Sequence, residues 1–344
     1  MNQNVLFALG AAALFGASTP FAKLLTADMP PVLVAGLLYL GSGLGLTLIR
    51  LIRDGGLKPS GLPTNEWPWL LSAVLFGGVL GPVALMFGLV STSGSTASLL
   101  LNLEAVLTAV IAWVVFKENA DRRIVLGMLA IVAGGVALGW QTGSNGESNP
   151  IGPVLVSLAC LCWAVDNNLT RKVSASDALF IAGIKGLISG AVNTSLAVSM
   201  GATLPGLLTI SSTMAVGVLG YGISLVLFVL ALRGLGTART GAYFSTAPFI
   251  GAAVAILVFS EPTAMPFWIA ASLMGLGVWL HLTEHHVHEH IHETLLHEHE
   301  HDHDEHHQHV HESGLGDRHS HLHRHDGTKH SHPHYPDIHH RHKH

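Results

Sequence analysis

Ten apolar runs, each about as long as a bilayer is thick, leave this chain little choice of fold. They lie near residues 4–26, 31–52, 68–90, 93–116, 123–140, 151–170, 178–200, 213–233, 238–260 and 264–283. A helix rises about 1.5 Å per residue, so roughly 20 apolar residues cross the hydrocarbon. The connections are short, and several carry helix-ending pairs such as Met29-Pro30-Pro31, Lys58-Pro59 and Asn149-Pro150. The pattern predicts an all-α membrane protein with ten transmembrane helices.

The runs also repeat. Residues 93–118, SGSTASLLLNLEAVLTAVIAWVVFKE, share a plan with residues 237–261, TARTGAYFSTAPFIGAAVAILVFSE. Each has small polar residues at its start, an interruption in the middle, an aliphatic run, and a glutamate at its exit, Glu118 or Glu261. With those glutamates superposed, Ala105 faces Pro248. Near the N-terminus, Phe15-Gly16-Ala17 and Lys23 are echoed by Trp163-Ala164-Val165 and Arg171. The N-terminal stretch also lacks the positive region of a signal peptide, so it reads as a retained first helix. Two five-helix units follow, residues 1–140 and 141–283, with a tail over 284–344. An odd number of crossings per unit inverts the second relative to the first, and such repeats place a site between them near mid-membrane. Gly41, Gly43 and Gly45, Gly77, Gly78 and Gly81, and Gly217, Gly220 and Gly222 permit close helix approach.

Loop charge sets the expected orientation. Arg50, Arg53, Lys58, Lys117, Arg122, Arg123, Arg171, Lys172, Arg233 and Arg239 all fall on alternate connections. Cytoplasmic loops carry the positive excess. Both termini are therefore expected in the cytoplasm, in a multi-pass protein of the cell's inner (plasma) membrane.

Residues 217–262, GVLGYGISLVLFVLALRGLGTARTGAYFSTAPFIGAAVAILVFSEP, resemble the second half of an EamA-type permease of the drug/metabolite transporter superfamily. The telling pieces are ALRGLGTART, the FSTAP turn and Ser260-Glu261-Pro262. The first copy, STASLLLNLEAVLTAVIAWVVFKE followed by RRIVLGMLAIVAGGVAL, is similar. The resemblance spans about residues 5–280. It implies ten helices, alternating access and export of a small metabolite or drug-like solute. The chain departs from the family at Ala105, where a proline is usual and where Glu104 stands alongside.

Charges at mid-membrane cost about 2.5–3.5 kcal/mol on insertion scales and usually have a purpose. Glu104, with Asn102 beside it, reads as a proton carrier or cation ligand; a structural hydrogen bond is the bland alternative. Asp166 and Lys185 lie in the sixth and seventh runs and are expected to pair, as a fixed tie or as a gate. Asn167 and Asn168 offer polar contacts to a solute. Lys23 is expected to snorkel to the headgroups. Pro248 removes a hydrogen bond inside its helix, freeing a carbonyl near Phe244. Tyr221 and Tyr243 are candidate cavity aromatics; packed positions are the alternative for all three. Cys160 and Cys162, two apart, face different sides of a helix and read as packing residues.

All 25 histidines lie in residues 281–344, a stretch with 12 acidic and 5 basic residues. His281, His285, His288 and His292 continue the tenth helix at helical spacing. Beyond them alternation takes over: His297, His299, His301 and His303, then His319, His321, His323 and His325, then His330, His332 and His334, ending with His339 and His340. Aliphatic residues nearly vanish, which predicts disorder or partial helix without ligand. Neutral imidazole binds Ni, Co or Zn, and many near-equivalent sites suggest a buffer of modest affinity. A pH-sensitive charged tail and low-complexity drift are the alternatives. No cofactor is required by this reading; a divalent transition metal on the tail is the one bound species expected.

Three functions remain open: an exporter of a small solute, a Ni, Co or Zn efflux or homeostasis permease in which the tail feeds or senses metal, and a membrane-tethered metal buffer or sensor without transport. The expected partners are the lipid bilayer and a small-molecule or metal-ion substrate, and a homodimer is left open. No basic patch interleaved with aromatics supports nucleic-acid binding. No nucleotide loop, nucleophile elbow or HExxH motif supports an enzyme.

Overall fold

The computed structural model describes residues 3–56, 58–116, 122–139, 150–174 and 176–283. In the tail it describes 287–291, 295–302, 318–325 and 329–333. The body is helical: α1 Gln3–Asp28, α2 Pro31–Asp54, α3 Trp67–Ala73, α4 Gly81–Val90, α5 Gly94–Leu100, α6 Leu103–Phe116, α7 Arg122–Gly139, α8 Ile151–Val173, α9 Ala178–Ser199, α10 Leu207–Gly217, α11 Ser224–Phe244, α12 Ala247–Phe259 and α13 Met265–Leu282. Among the described residues, eight spans are long and apolar enough to cross a membrane. Two shorter apolar helices, Val125–Leu138 and Met265–Leu280, stand where the fifth and tenth crossings are expected. Leu207, Leu208, Leu257 and Ile52 are each more than 70% exposed. Such side chains would be a liability in water and are at home in lipid.

The two halves obey one pseudo-twofold plan. Helix α2 packs on α9 and α7 on α13, each pair joining equivalent helices of the two halves. The pairs α1–α11 and α8–α4 are mates under the same operation, as are α1–α12 and α8–α6. Where α2 crosses α9, a Cβ on Gly43 would meet the Leu187 backbone, and one on Gly190 would meet the Leu40 backbone. Glycine is required there because the two main chains touch.

Each half interrupts its third and fourth crossings in the same places. A π-helical stretch, Val74–Leu80, joins α3 to α4, and another, Val218–Ile223, joins α10 to α11. The first has a visible cause. The Gly81 amide bonds back to the Phe76 carbonyl, and Pro82 has no N–H to offer Gly77 or Gly78. Both glycine carbonyls are thereby released toward neighbouring helices. The fourth crossing breaks at Leu101-Asn102 and the ninth at Ser245-Thr246. Both breaks tighten into short-range bonds: the Asn102 amide donates to Leu99 at 3.1 Å, and the Thr246 amide to Tyr243 at 3.2 Å.

Pro248 therefore does not sit inside a continuous helix. It occupies the first turn of α12, just after the break, where a missing N–H has no cost. In the first half α6 starts with no proline at all, and Glu104 lies in its first turn. A negative charge is favourable at that end of a helix.

Charged side chains secure both ends of the bundle. At one end α12 stops with Ser260 at φ 53°, and the Glu261 amide bonds back to Ala255 at 3.2 Å. This sharp cap aims the Glu261 carboxylate at α5, where it accepts from the Gly94 and Ser95 amides at 2.9 and 2.7 Å. Lys23 donates to the Leu89 carbonyl at the close of α4. It caps a helix C-terminus there rather than snorkelling free, which suits the negative end of that helix.

At the other end Asp177 begins α9. It accepts from Arg50 at 3.0 Å, from Arg53 at 2.6 Å and from the Leu179 amide at 3.0 Å. Burial pushes its carboxyl up, but these hydrogen bonds more than offset burial and hold it at about 2. A folded value below the unfolded value of about 3.9 means the contribution is complete above that pH and fades as pH falls through about 2. Comparing melting temperatures of the protein and its Asp177→Asn variant in detergent tests this. The gap should be constant above pH 5 and close between pH 4 and 2. A gap that stays open at pH 2 would contradict the assignment.

The helical body and the tail are two separate compact units. In the second unit the backbone pairs as two antiparallel ribbons. β1 Val287–Ile291 lies beside β4 Lys329–Pro333, and β2 Leu295–Asp302 beside β3 Arg318–His325. The partly helical tail expected from the sequence is thus extended in its described pieces. A His-x-His alternation has the period of a strand, not of a helix.

Candidate functional site

A cavity of about 70 Å³ lies between the two halves, close to the interruptions described above. Its walls come from α1, α2, α6, α8, α9, the second π stretch and α11. Three formally charged side chains face it: Glu104, Asp166 and Lys185.

Asp166 and Lys185 form the expected pair. The Lys185 amine donates to Asp166 Oδ2, and the Thr170 hydroxyl donates to Asp166 Oδ1 at 2.9 Å. The two side chains are 7% and 3% exposed. Asp166 packs against Gly77, whose released carbonyl accepts from the Tyr39 hydroxyl at 2.8 Å and from the Trp163 indole at 2.9 Å. Gly78 offers its carbonyl to Asn193 at 3.1 Å. The π stretch thus supplies acceptors that an unbroken helix would have consumed.

Glu104 has a different environment. Its carboxylate accepts from the Asn167 amide at 2.8 Å, and, among the described residues, the one cation facing the cavity, Lys185, donates to Asp166 instead. Asn167 also lies 3.5 Å from the Thr108 hydroxyl. A half-buried carboxylate held by one amide, beside a cavity, is placed to exchange a proton or to meet a cation.

Rings complete the wall. Phe15 packs edge-on to Trp163 at 5.7 Å and to Tyr221 at 5.9 Å, and lies 5.5 Å from Phe244. Tyr39 lies 5.4 Å from Tyr221, and Phe228 lies 4.9 Å from Phe244. All six rings line the cavity.

The structure therefore brings Glu104, Asp166, Asn167, Lys185 and Tyr221 together and leaves four other candidates outside. Asn102 is buried with its amide on the Leu99 carbonyl at 3.0 Å and 3.8 Å from the Met274 sulfur. It closes the helix break, because residues two apart on a helical turn face different ways. Tyr243 packs with Ala8, Ala231 and Leu235 instead, one residue away from the Phe244 ring that does face the cavity. Pro248 serves the start of α12. Asn168 bonds the Ala164 carbonyl at 2.9 Å. Cys160 and Cys162 are free and buried, as packing residues should be.

Sequence reasoning missed Phe15, Tyr39, Trp163, Phe228 and Phe244. One signal was available: Phe15 and Trp163 are repeat mates, and mates near a pseudo-twofold axis meet. Among the tail histidines, His285, His292, His303, His334, His339 and His340 lie outside the described residues. For His288, His297, His299, His301, His319, His321, His323, His325, His330 and His332 only the backbone is described.

Gly77 gives a direct test of this packing. A Cβ there would lie 2.7 Å from the Asp166 Cβ and closer still to its carboxylate. Gly77→Ala should destabilise the protein by about 1–3 kcal/mol through overpacking. Gly241→Ala, which meets nothing within 4 Å, should leave the melting temperature unchanged. Equal melting temperatures for the two variants would contradict the placement of Asp166.

Comparison with known proteins bears on the whole body. The model of the EamA-like transporter family matches residues 3–140 and again 150–283. An "Uncharacterized transporter" of Methanothermobacter thermautotrophicus is 27% identical over 286 residues, covering 77% of this chain and 82% of that protein. "Uncharacterized transporter YyaM" of Bacillus subtilis is 27% identical over 252 residues, covering 69% of this chain and 80% of that protein. A crystal structure of a further protein, 20% identical, superposes with a TM-score of 0.64 over 81% of this chain and 95% of its own. That last likeness is one of fold alone.

Proposed function

The chain belongs to the EamA-like transporter family, and from that premise we propose that it is a secondary active transporter that exports a small solute by alternating access. The observation that carries this reading is Glu104. Among the described residues it is a carboxylate paired to an amide, beside a cavity between two inverted halves whose helices are interrupted nearby. In the proposed cycle the cavity opens to each face in turn. Glu104 holds a proton in one passage and the solute or nothing in the other. The solute itself is not chemically altered. In this reading both termini lie in the cytoplasm of an inner-membrane protein, the orientation that the positive loops favour. Purified protein in proteoliposomes tests the reading: an imposed proton gradient should drive counterflow of a small-solute panel, and Glu104→Gln should abolish it. Counterflow unaffected by the variant would remove Glu104 from the mechanism.

The tail belongs to the same proposal as a cytoplasmic buffer for Ni, Co or Zn. Residues two apart on a strand share a face. The backbone register sets His297, His299 and His301 opposite His323, His321 and His319. Metal as the cargo is supported less well. The cavity offers one carboxylate, Glu104, that is not already held by Lys185, and a transition-metal ion needs several ligands. Calorimetric titration of the full chain with Ni, Co and Zn should show several sites of modest affinity, most of them lost when those six histidines become alanine. Transport of organic solutes should be unchanged in that variant. Unaltered metal binding would contradict the assignment.

A further inference from the structure

We infer that the solute is a small organic cation, its charged head seated between Glu104 and a cage of aromatic rings. This rests on the transporter reading and names the cargo of the same site. The charge balance comes first. Of the three formally charged groups facing the cavity, Lys185 and Asp166 satisfy each other, and Thr170 takes the second oxygen of Asp166. One negative charge, that of Glu104, is left facing the space.

The rings point the same way. Phe15, Tyr39, Trp163, Tyr221, Phe228 and Phe244 form one connected wall with centroid spacings of 4.9–5.9 Å. Ring faces are electron-rich and attract a cation within about 6 Å, most strongly when water is excluded. An anion would meet a carboxylate and ring faces of the same sign. A neutral solute would gain nothing from the ionised form of Glu104. A transition-metal ion would find no imidazole or thiolate among the lining residues, and ring faces do not replace its lost water. A cation clothed in carbon, such as a methylated or alkyl ammonium, matches both the charge and the apolar wall. The ring wall on one side and Glu104 on the other favour small members of that class.

The test compares charge at constant shape. Choline and its carbon isostere 3,3-dimethylbutan-1-ol are titrated calorimetrically into the full-length protein in lipid nanodiscs. Choline should bind at least about 10-fold more tightly, within what desolvated cation–ring contacts can supply. Glu104→Gln should erase that difference. Phe15→Leu, which keeps the site apolar but removes a ring, should weaken choline about 3- to 10-fold and leave the isostere unchanged. Should one variant fail to fold, Phe228→Leu gives the same reading as Phe15→Leu. Equal binding of choline and the isostere, or a difference that survives Glu104→Gln, would overturn the inference. Counterflow in proteoliposomes separates its failure from that of the function. If lactate or a neutral solute moves and no ammonium does, the cargo class falls and the transporter stands. If nothing in the panel moves, both fall.

Discussion

Lys185→Met should destabilise the protein by about 3–5 kcal/mol, the penalty for leaving one member of a buried ion pair behind. The Asp166 carboxylate is sealed: 7% exposed, pressed against Gly77, with only the Thr170 hydroxyl left to satisfy it. A sharply lowered melting temperature in detergent is the readout. Removing both charges, in Lys185→Met with Asp166→Asn, should restore most of the loss, because a neutral pair has no charge to strand. Additive effects of the two substitutions would show that the side chains do not interact. The pair reads as a structural tie that keeps α8 and α9 together beside the cavity while neutralising its own charge.

Glu104→Gln should behave in the opposite way. Glutamine keeps the size of the side chain and a partner for Asn167, so the fold and the melting temperature should hold. Gradient-driven exchange should fall by at least about 10-fold, a coupling energy in the usual range for linked sites. The half-buried position of Glu104, with an amide rather than a cation on its carboxylate, separates these two expectations. The charge at Asp166 is committed and the charge at Glu104 is available.

Much of this was legible in the residues. Hydropathy showed the crossings because lipid demands continuous apolar helix. The repeat was visible in the matched glutamates and small residues of the fourth and ninth runs. Intramembrane charge marked Glu104, Asp166 and Lys185, because such residues are too costly to be incidental. The side of the helix on which a neighbour falls was not legible. Asn102 and Tyr243 stand two residues and one residue from a cavity position in sequence and point elsewhere, because local rotation at a helix break decides facing. The ring wall was hidden for another reason: Phe15, Phe228 and Phe244 are indistinguishable by composition from core or lipid-facing residues. The π stretch had a readable cause in Gly77, Gly78 and Pro82, but the use of its freed carbonyls by Tyr39, Trp163 and Asn193 depends on three other helices.

The central claim is that one mid-membrane cavity is reached from each face in turn. Leu225 lines that cavity, and a single cysteine there, with Cys160 and Cys162 replaced by alanine, reports on it. A membrane-impermeant maleimide is applied to one face or the other of sealed, oriented vesicles. Labelling from both faces, with the vesicles still tight to the reagent, is the predicted result. Labelling from one face only, whatever gradient is imposed, would contradict it.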